Sequence, residues 1–374
     1  MSIGKFTRCI IYCFWPIIIL TACGRVQQSE ELTAKVNRTS NFTIGPVFEI
    51  IDGSEQPVIT EGDPGTESNR YGFEGGRVLK FNNEYHLFTT EMYGNPLWTK
   101  TRLGYWVSQD GYTWERQSTL FESTGDFTGE DPRAALWSPM PTYDNVRGKW
   151  VLTYVAYNSR PNTKDGWYRN FNGKIWMAIS ETPGFGGLAG PYRDSSIILQ
   201  PGTDSNDWEG LMGTDSFFPY PLSDEWMAFY GSSPESVGLA TSASLGGPWK
   251  RKTKINPVRR SIENPLVTRI GDGRFIALFD GCGDTRKIGY LVSYDGVHWS
   301  KEIFFELEEE INPWWGLTRT PLGLIQESED IFTVYFSAYN KDFYEIPNVW
   351  ETNDDSVFDG VFASVGIFRL RIIR

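Results

Sequence analysis

The sequence predicts an all-β protein, a five-bladed β-propeller, and three observations carry that expectation. The first is repetition. Units open at Glu74 (Glu-Gly-Gly-Arg-Val), Trp137 (Trp-Ser-Pro-Met), Asp215 (Asp-Ser-Phe-Phe-Pro) and Glu263 (Glu-Asn-Pro-Leu-Val), with a less regular fifth from Trp315 (Trp-Gly-Leu-Thr-Arg-Thr-Pro-Leu). They recur at intervals of roughly 50 to 80 residues, the period of radially arranged sheets. The second is local pattern: short alternating runs lie between Gly, Asp, Asn and Pro turns, and long stripes of helical period are scarce. The third is composition, with 15% aromatic residues, 38 Gly and 21 Pro in 374 residues. That length suits one large all-β domain with a sizeable core.

Each opening is followed by a polar turn and an aromatic-rich strand: Tyr85-His86-Leu87-Phe88, Lys149-Trp150-Val151-Leu152, Glu225-Trp226-Met227-Ala228, Arg274-Phe275-Ile276-Ala277 and Ile331-Phe332-Thr333-Val334. A third strand then ends in a turn. Ser108-Gln109-Asp110-Gly111-Tyr112-Thr113-Trp114 and Ser293-Tyr294-Asp295-Gly296-Val297-His298-Trp299 are near copies, in which Asp-Gly supplies a positive-φ hairpin turn. His298 is thereby a turn residue, and His86, inside an alternating strand, is a packed histidine. The run Ser364–Ile373 reads as the closing strand of the last unit. Whether Pro46–Ile51 joins it in sealing the ring is open from the sequence.

The first residues stand apart from this pattern. Lys5 and Arg8 precede an apolar stretch from Ile10 to Leu20, and Leu20-Thr21-Ala22-Cys23 closes it with small residues. The tetrapeptide resembles a bacterial lipobox, so residues 1–22 are expected to be a lipoprotein signal peptide, with Cys23 as the lipidated residue. Residues 23–41 are polar and free of aromatics, as a flexible tether would be, and 42–374 are expected to form the single propeller domain. The expected location is a bacterial membrane, on the periplasmic or cell-surface side, with the outer membrane of a Gram-negative cell favoured. Cys9 and Cys13 leave with the signal, so Cys282 is a lone packing thiol without a disulfide partner. The formal charge of −12 becomes −14 once Lys5 and Arg8 are removed, which argues against nucleic acid as a partner.

These motifs resemble those of the five-bladed β-propeller glycoside hydrolases, the superfamily of families 43, 62, 32, 68 and 117. Trp137-Ser138-Pro139 is similar to the Trp-Ala-Pro stretch of the second blade in family 43. Thr214-Asp215-Ser216-Phe217-Phe218 is similar to the Asp-Pro-Ser-Leu-Phe stretch of its third blade, and Ile262-Glu263-Asn264-Pro265-Leu266 to the Glu-Gly-Pro-His stretch of its fourth. The likeness covers nearly all of residues 70–370 and implies a glycosidase acting on an oligo- or polysaccharide with an arabinofuranoside- or xyloside-like end unit. It implies that Glu263 is the general acid and that Asp215 orients and tunes it. In the first-blade slot, which normally holds the Asp that acts as base or nucleophile, stands Glu74. Asp131, in Gly129-Glu130-Asp131-Pro132-Arg133, is the alternative base.

The chemistry of glycoside cleavage agrees with such a set, because it needs one protonated and one ionised carboxyl flanking the bond. Retention or inversion depends on their separation, which the sequence leaves open. For stacking on a sugar ring the candidates are Trp137, Phe217, Trp314 and Trp315, and for binding hydroxyls Arg77, Arg133 and Arg319. No His/Cys cluster has metal-ligand spacing. No cofactor is expected, and an axial calcium or sodium ion rests on analogy alone. Two other functions fit the same fold: a non-catalytic glycan binder, and a phosphorolytic enzyme that would gather Arg133, Arg319 or lysines around the axis.

Overall fold

A computed structural model describes residues 43–373, except 54, 164–168, 203–207, 211, 233–235, 283–286, 308–313, 348 and 350. The expected signal segment, Cys23 and the expected tether lie outside the described residues. The innermost strands of five antiparallel sheets are β2 (Phe73–Phe81), β6 (Ala135–Asp144), β10 (Phe217–Pro221), β15 (Ile262–Arg269) and β19 (Leu317–Gln326). Each touches the next, and β19 returns to β2, so the ring is closed.

Behind β2 follow β3 (Glu84–Met92), β4 (Thr101–Ser108) and β5 (Glu115–Glu122), and behind β6 follow β7 (Lys149–Ser159), β8 (Asn170–Ser180) and β9 (Tyr192–Leu199). The third blade continues with β11 (Trp226–Ser232) and β12 (Ser236–Ser242), then β13 (Lys250–Arg251) and β14 (Arg259–Arg260), which both pair with β12. The fourth adds β16 (Phe275–Gly281), β17 (Ile288–Ser293) and β18 (Ile303–Phe304). Helical structure among the described residues is confined to short 3-10 turns.

The fifth blade answers the question left open about closure. Its order is β19, β20 (Ile331–Tyr339), β21 (Ala363–Ile372) and, outermost, β1 (Phe48–Gly53) from the other end of the chain. Phe48 pairs with Ile372 and Gly53 with Phe368. The N-terminal strand therefore covers an edge that would otherwise be open to pairing with another chain.

Burial follows from the radial arrangement. Inner strands have neighbouring blades on both faces, so β3 and β7 are buried almost throughout, whereas β5 alternates between exposed and half-buried residues. Separate apolar clusters fill the spaces between successive blades. Phe73, Leu87 and Trp106 meet Leu322 and Tyr335 between the first and fifth, and Ile276 and Leu278 meet Leu324 and Phe332 between the fourth and fifth. The Asp-Gly hairpins form as read: Asp110 Oδ1 accepts from the amides of Tyr112 and Thr113, and Asp295 Oδ1 from those of Val297 and His298. His86 is buried and bonded through Nδ1 to the Tyr105 hydroxyl at 2.9 Å, and Cys282 is buried.

Phe48 makes the closure more than a pairing of backbones. Its ring packs edge-on against Tyr290 of the fourth blade and Phe332 of the fifth, both at 5.3 Å. Phe48→Ala should therefore cost about 3–5 kcal/mol in chemical denaturation; a loss within about 0.5 kcal/mol, the level of an ordinary surface substitution, would show that β1 does not staple the ring.

Candidate active site

One local device recurs at the start of the inner strands. In β2 the register shifts between Glu74 and Gly76, in β6 between Trp137 and Met140, and in β15 between Glu263 and Leu266. In each bulge the second residue has positive φ: 70° at Gly75, 52° at Ser138 and 52° at Asn264. A bulge leaves one residue unpaired and re-aims its neighbours, and the residue just before the twist (Glu74, Trp137 or Glu263) lines the axial cavity. Proline follows in two of them, Pro139 and Pro265, where a missing N–H suits the interrupted ladder. Gly75 is needed for space as well as for φ, since a Cβ there would lie 2.6 Å from Ser138 Oγ.

The same slot is filled in every blade. Asp215 precedes β10, anchored by its amide to Gly231 O at 3.0 Å, and Arg319 lies in β19 next to register shifts between Thr318 and Gly323. Glu74, Trp137, Asp215, Glu263 and Arg319 thus converge on one cavity. Three carboxylates from three blades share it with a guanidinium.

That guanidinium organises the acids. Arg319 Nε donates to Glu74 Oε1 at 2.8 Å, while its Nη1 donates to Asp280 Oδ2 at 3.1 Å and lies 3.1 Å from Glu263 Oε2. The other Glu74 oxygen accepts from the Tyr339 hydroxyl at 2.8 Å, and Asp215 Oδ1 accepts from the Tyr157 hydroxyl. Burial raises both tyrosines well above their usual range, which keeps them protonated donors. Asp215 is pushed up to about 6, first by burial and then by the charge of Glu263. Glu263 is the more open acid, its side chain 25% exposed against 10% for Glu74.

The walls are aromatic and polar. Trp98, Trp137 and Phe343 line the cavity, as do Arg169 and Asn170. Trp98 has φ of 62°, uncommon for a bulky residue. Its carbonyl accepts from Trp137 Nε1 at 3.1 Å and Asn170 Nδ2 at 3.0 Å, and its ring packs edge-on to Phe358 at 5.3 Å. Arg169 is tied to Asp355, which leaves its charge matched.

Several expected site residues are placed elsewhere. Asp131 sits in the loop before β6, where Oδ1 accepts from the Arg133 amide at 2.7 Å, a turn-holding role away from the cavity lining. Arg133 is ion-paired with Asp194 and lies over the rings of Phe121, Tyr154 and Trp176. Arg77 lies past the bulge, opposite Phe88 and outside the cavity lining. Phe217 is core, edge-on to Trp249 at 4.9 Å and packed with residues of the second and third blades, whereas Asp215 lies ahead of the strand that Phe217 begins. Trp314 and Trp315 pack against each other and Phe336 between the fourth and fifth blades.

Other lining or supporting groups had no repeat to betray them. Trp98, Phe343, Arg169 and Asn170 come from connecting loops or strand ends, and Tyr157, Asp280 and Tyr339 from second strands. The one available signal was Asp280, an acid closing the apolar run Phe275–Phe279.

No protein-family model and no curated protein sequence matches this chain. Solved structures do match its fold. BT0996, solved as a complex with RGII, aligns over 91% of this chain and 94% of its own, with a TM-score of 0.61 and 14% identity. Zg3597, a family 117 glycoside hydrolase from the marine bacterium Zobellia galactanivorans, aligns over 88% and 90% with a TM-score of 0.54 and 13% identity. The family 43 β-1,3-galactosidase BT0265 aligns over 86% of this chain and 60% of its own, with a TM-score of 0.56 and 14% identity. The chain has the fold of the five-bladed propeller glycoside hydrolases.

Proposed function

We propose that this protein hydrolyses a glycosidic bond, with a furanose or pyranose end unit in the axial cavity and Cys23 as the site of a membrane anchor. The observation that carries the reading is the convergence of Glu74, Asp215 and Glu263, from three blades, on one cavity with an aromatic wall. Fold likeness at 13–14% identity supports the architecture and leaves the chemistry to these residues. Glu74 and Glu263 oxygens that contact the same guanidinium are no more than about 8 Å apart, within reach of opposite sides of one glycosidic bond.

In this reading Glu263, the most open of the Arg319-bound acids, gives its proton to the leaving oxygen as the bond from the anomeric carbon breaks and its electron pair passes to that oxygen. Water attacks the anomeric carbon and passes a proton to Glu74, which Arg319 and Tyr339 hold in place. Asp215, fixed by Tyr157, orients Glu263 and places a second negative charge beside it. With Asp131 held in its loop, Glu74 takes the base role. The phosphorolytic alternative loses Arg133 to Asp194, and the cations lining the cavity, Arg169 and Arg319, are matched by carboxylates.

Screening a glycan panel for new reducing ends, with NMR detection of the product anomer, tests the activity and its stereochemistry together. Binding without release of any sugar would favour the glycan-binding alternative. On a substrate found in this way, Glu263→Gln should lower kcat by about 10²–10⁴ with an alkyl leaving group and much less with an activated aryl one. Equal loss on both would remove the acid role. Activity of the wild type should rise with pH through about 6 as Asp215 ionises. Asp215→Asn should abolish that limb of the kcat/KM profile; an unchanged limb would assign it to another group.

A further inference from the structure

A fourth carboxylate stands behind the three that open into the cavity. Asp280 is 2% exposed, near the end of β16, and lies directly opposite Glu263 in the β15–β16 ladder. Both oxygens are engaged: Oδ1 accepts from Asn264 Nδ2 at 3.0 Å and Oδ2 from Arg319 Nη1 at 3.1 Å. Asn264 is the positive-φ residue of the bulge that aims Glu263, so one short turn presents the acid forward and grips Asp280 behind it. The same Arg319 nitrogen lies 3.1 Å from Glu263 Oε2. Glu263 and Asp280 therefore share one nitrogen, at equal distances, and pull on it from two sides.

We propose that Asp280 is a positioning residue that draws the Arg319 guanidinium back from Glu263, so that Arg319 spans Glu74 and Glu263 without locking onto the proton donor. The mechanistic half of this statement rests on the hydrolase reading above; the placement of Arg319 does not. Were Asp280 uncharged, the pull that balances Glu263 at Nη1 would weaken, and a carboxylate paired more closely with a guanidinium favours its charged form. Around Asp280 stand Glu263 and Asn264 from β15, Arg319 from β19 and, more distantly, Glu74 from β2, while β17 sets Ile288 opposite it. Burial, with the charges of Glu263 and Glu74 adding to it, pushes Asp280 up to about 7 despite the opposing pull of Arg319.

The sign of the pH effect on stability follows. A carboxyl that holds its proton to about 7 when folded, against an ordinary 3.8, favours the folded state below 3.8 and loses that advantage as pH rises through 7. The wild-type unfolding midpoint should accordingly fall across this window, with Asp215 contributing up to about 6. Asp280→Asn should flatten the upper part of the fall; a midpoint lowered equally at every pH would show that Asp280 is not the group that titrates there. Asn264→Gly, which suits the positive φ and removes one donor, should extend the fall to higher pH and serves if Asp280→Asn does not fold. On a hydrolysed glycoside with an alkyl leaving group, Asp280→Asn should also move the alkaline limb of kcat/KM lower by about half a pH unit or more. Midpoint curves parallel to the wild type for the folded variants, or an unmoved alkaline limb in Asp280→Asn, would overturn the proposal. A wild type inactive on every glycoside would instead sink the hydrolase reading, leaving the unfolding curves to decide where Asp280 holds Arg319.

Discussion

Gathering carboxylates at the centre of a ring is expensive, because each buried charge loses its water and repels the others. In this protein one guanidinium offsets much of that cost. Arg319 reaches Glu74, Glu263 and Asp280 at once, and its planar, forked donors allow the bonds to point in different directions. A lysine would place a single point charge there and could not span the same partners. Tyr157, Tyr339 and Asn264 supply the remaining donors, so the acids are held by neutral groups wherever the cation does not reach.

The backbone makes this convergence available. A sheet whose inner strand ran without interruption would turn alternate side chains toward neighbouring blades, and those positions are filled by Phe73, Phe217, Ile262 and Leu317. The bulge adds a twist at the mouth of the strand, and the residue ahead of it escapes the interblade core. Five variations on one slot then yield three acids, a tryptophan and an arginine around one axis. The arrangement is only as precise as its blades, and the fifth blade, which supplies Arg319, is completed by β1 from the opposite end of the chain.

The loops above the axis add what the repeats lack. Trp98 is held in a left-handed conformation by bonds from Trp137 and Asn170 and by aromatic packing, and Arg169 beneath the same loops is matched by Asp355. Strain of this kind persists only where the surroundings over-determine it. The outcome is a cavity lined both by aromatic rings, Trp98, Trp137 and Phe343, and by the charged groups Glu74, Asp215, Glu263 and Arg319.

Much of this architecture was legible along the chain. Turn chemistry, strand alternation and the recurring openings are local, so the five sheets and the unit openings at Glu74, Trp137, Asp215 and Glu263 were legible from short-range pattern, whereas the fifth opening was read at Trp315 and Arg319 was only one of several candidate cations. What pattern could not rank was which other aromatic or cation reaches the axis. Phe217 and Trp315 lie within four residues of slot positions, yet their rings pack with neighbouring blades in the interblade core. Arg133 was claimed by Asp194 on a different strand, a contact no spacing reveals. Reading along the chain was enough for the repeat and for the residue type offered at each opening, since both are written within a few neighbouring residues. The stand of Asp280 behind Glu263, and the bridge that Arg319 makes from that pair to Glu74, came from the assembled ring, because those contacts exist only once separate blades have closed around a common axis.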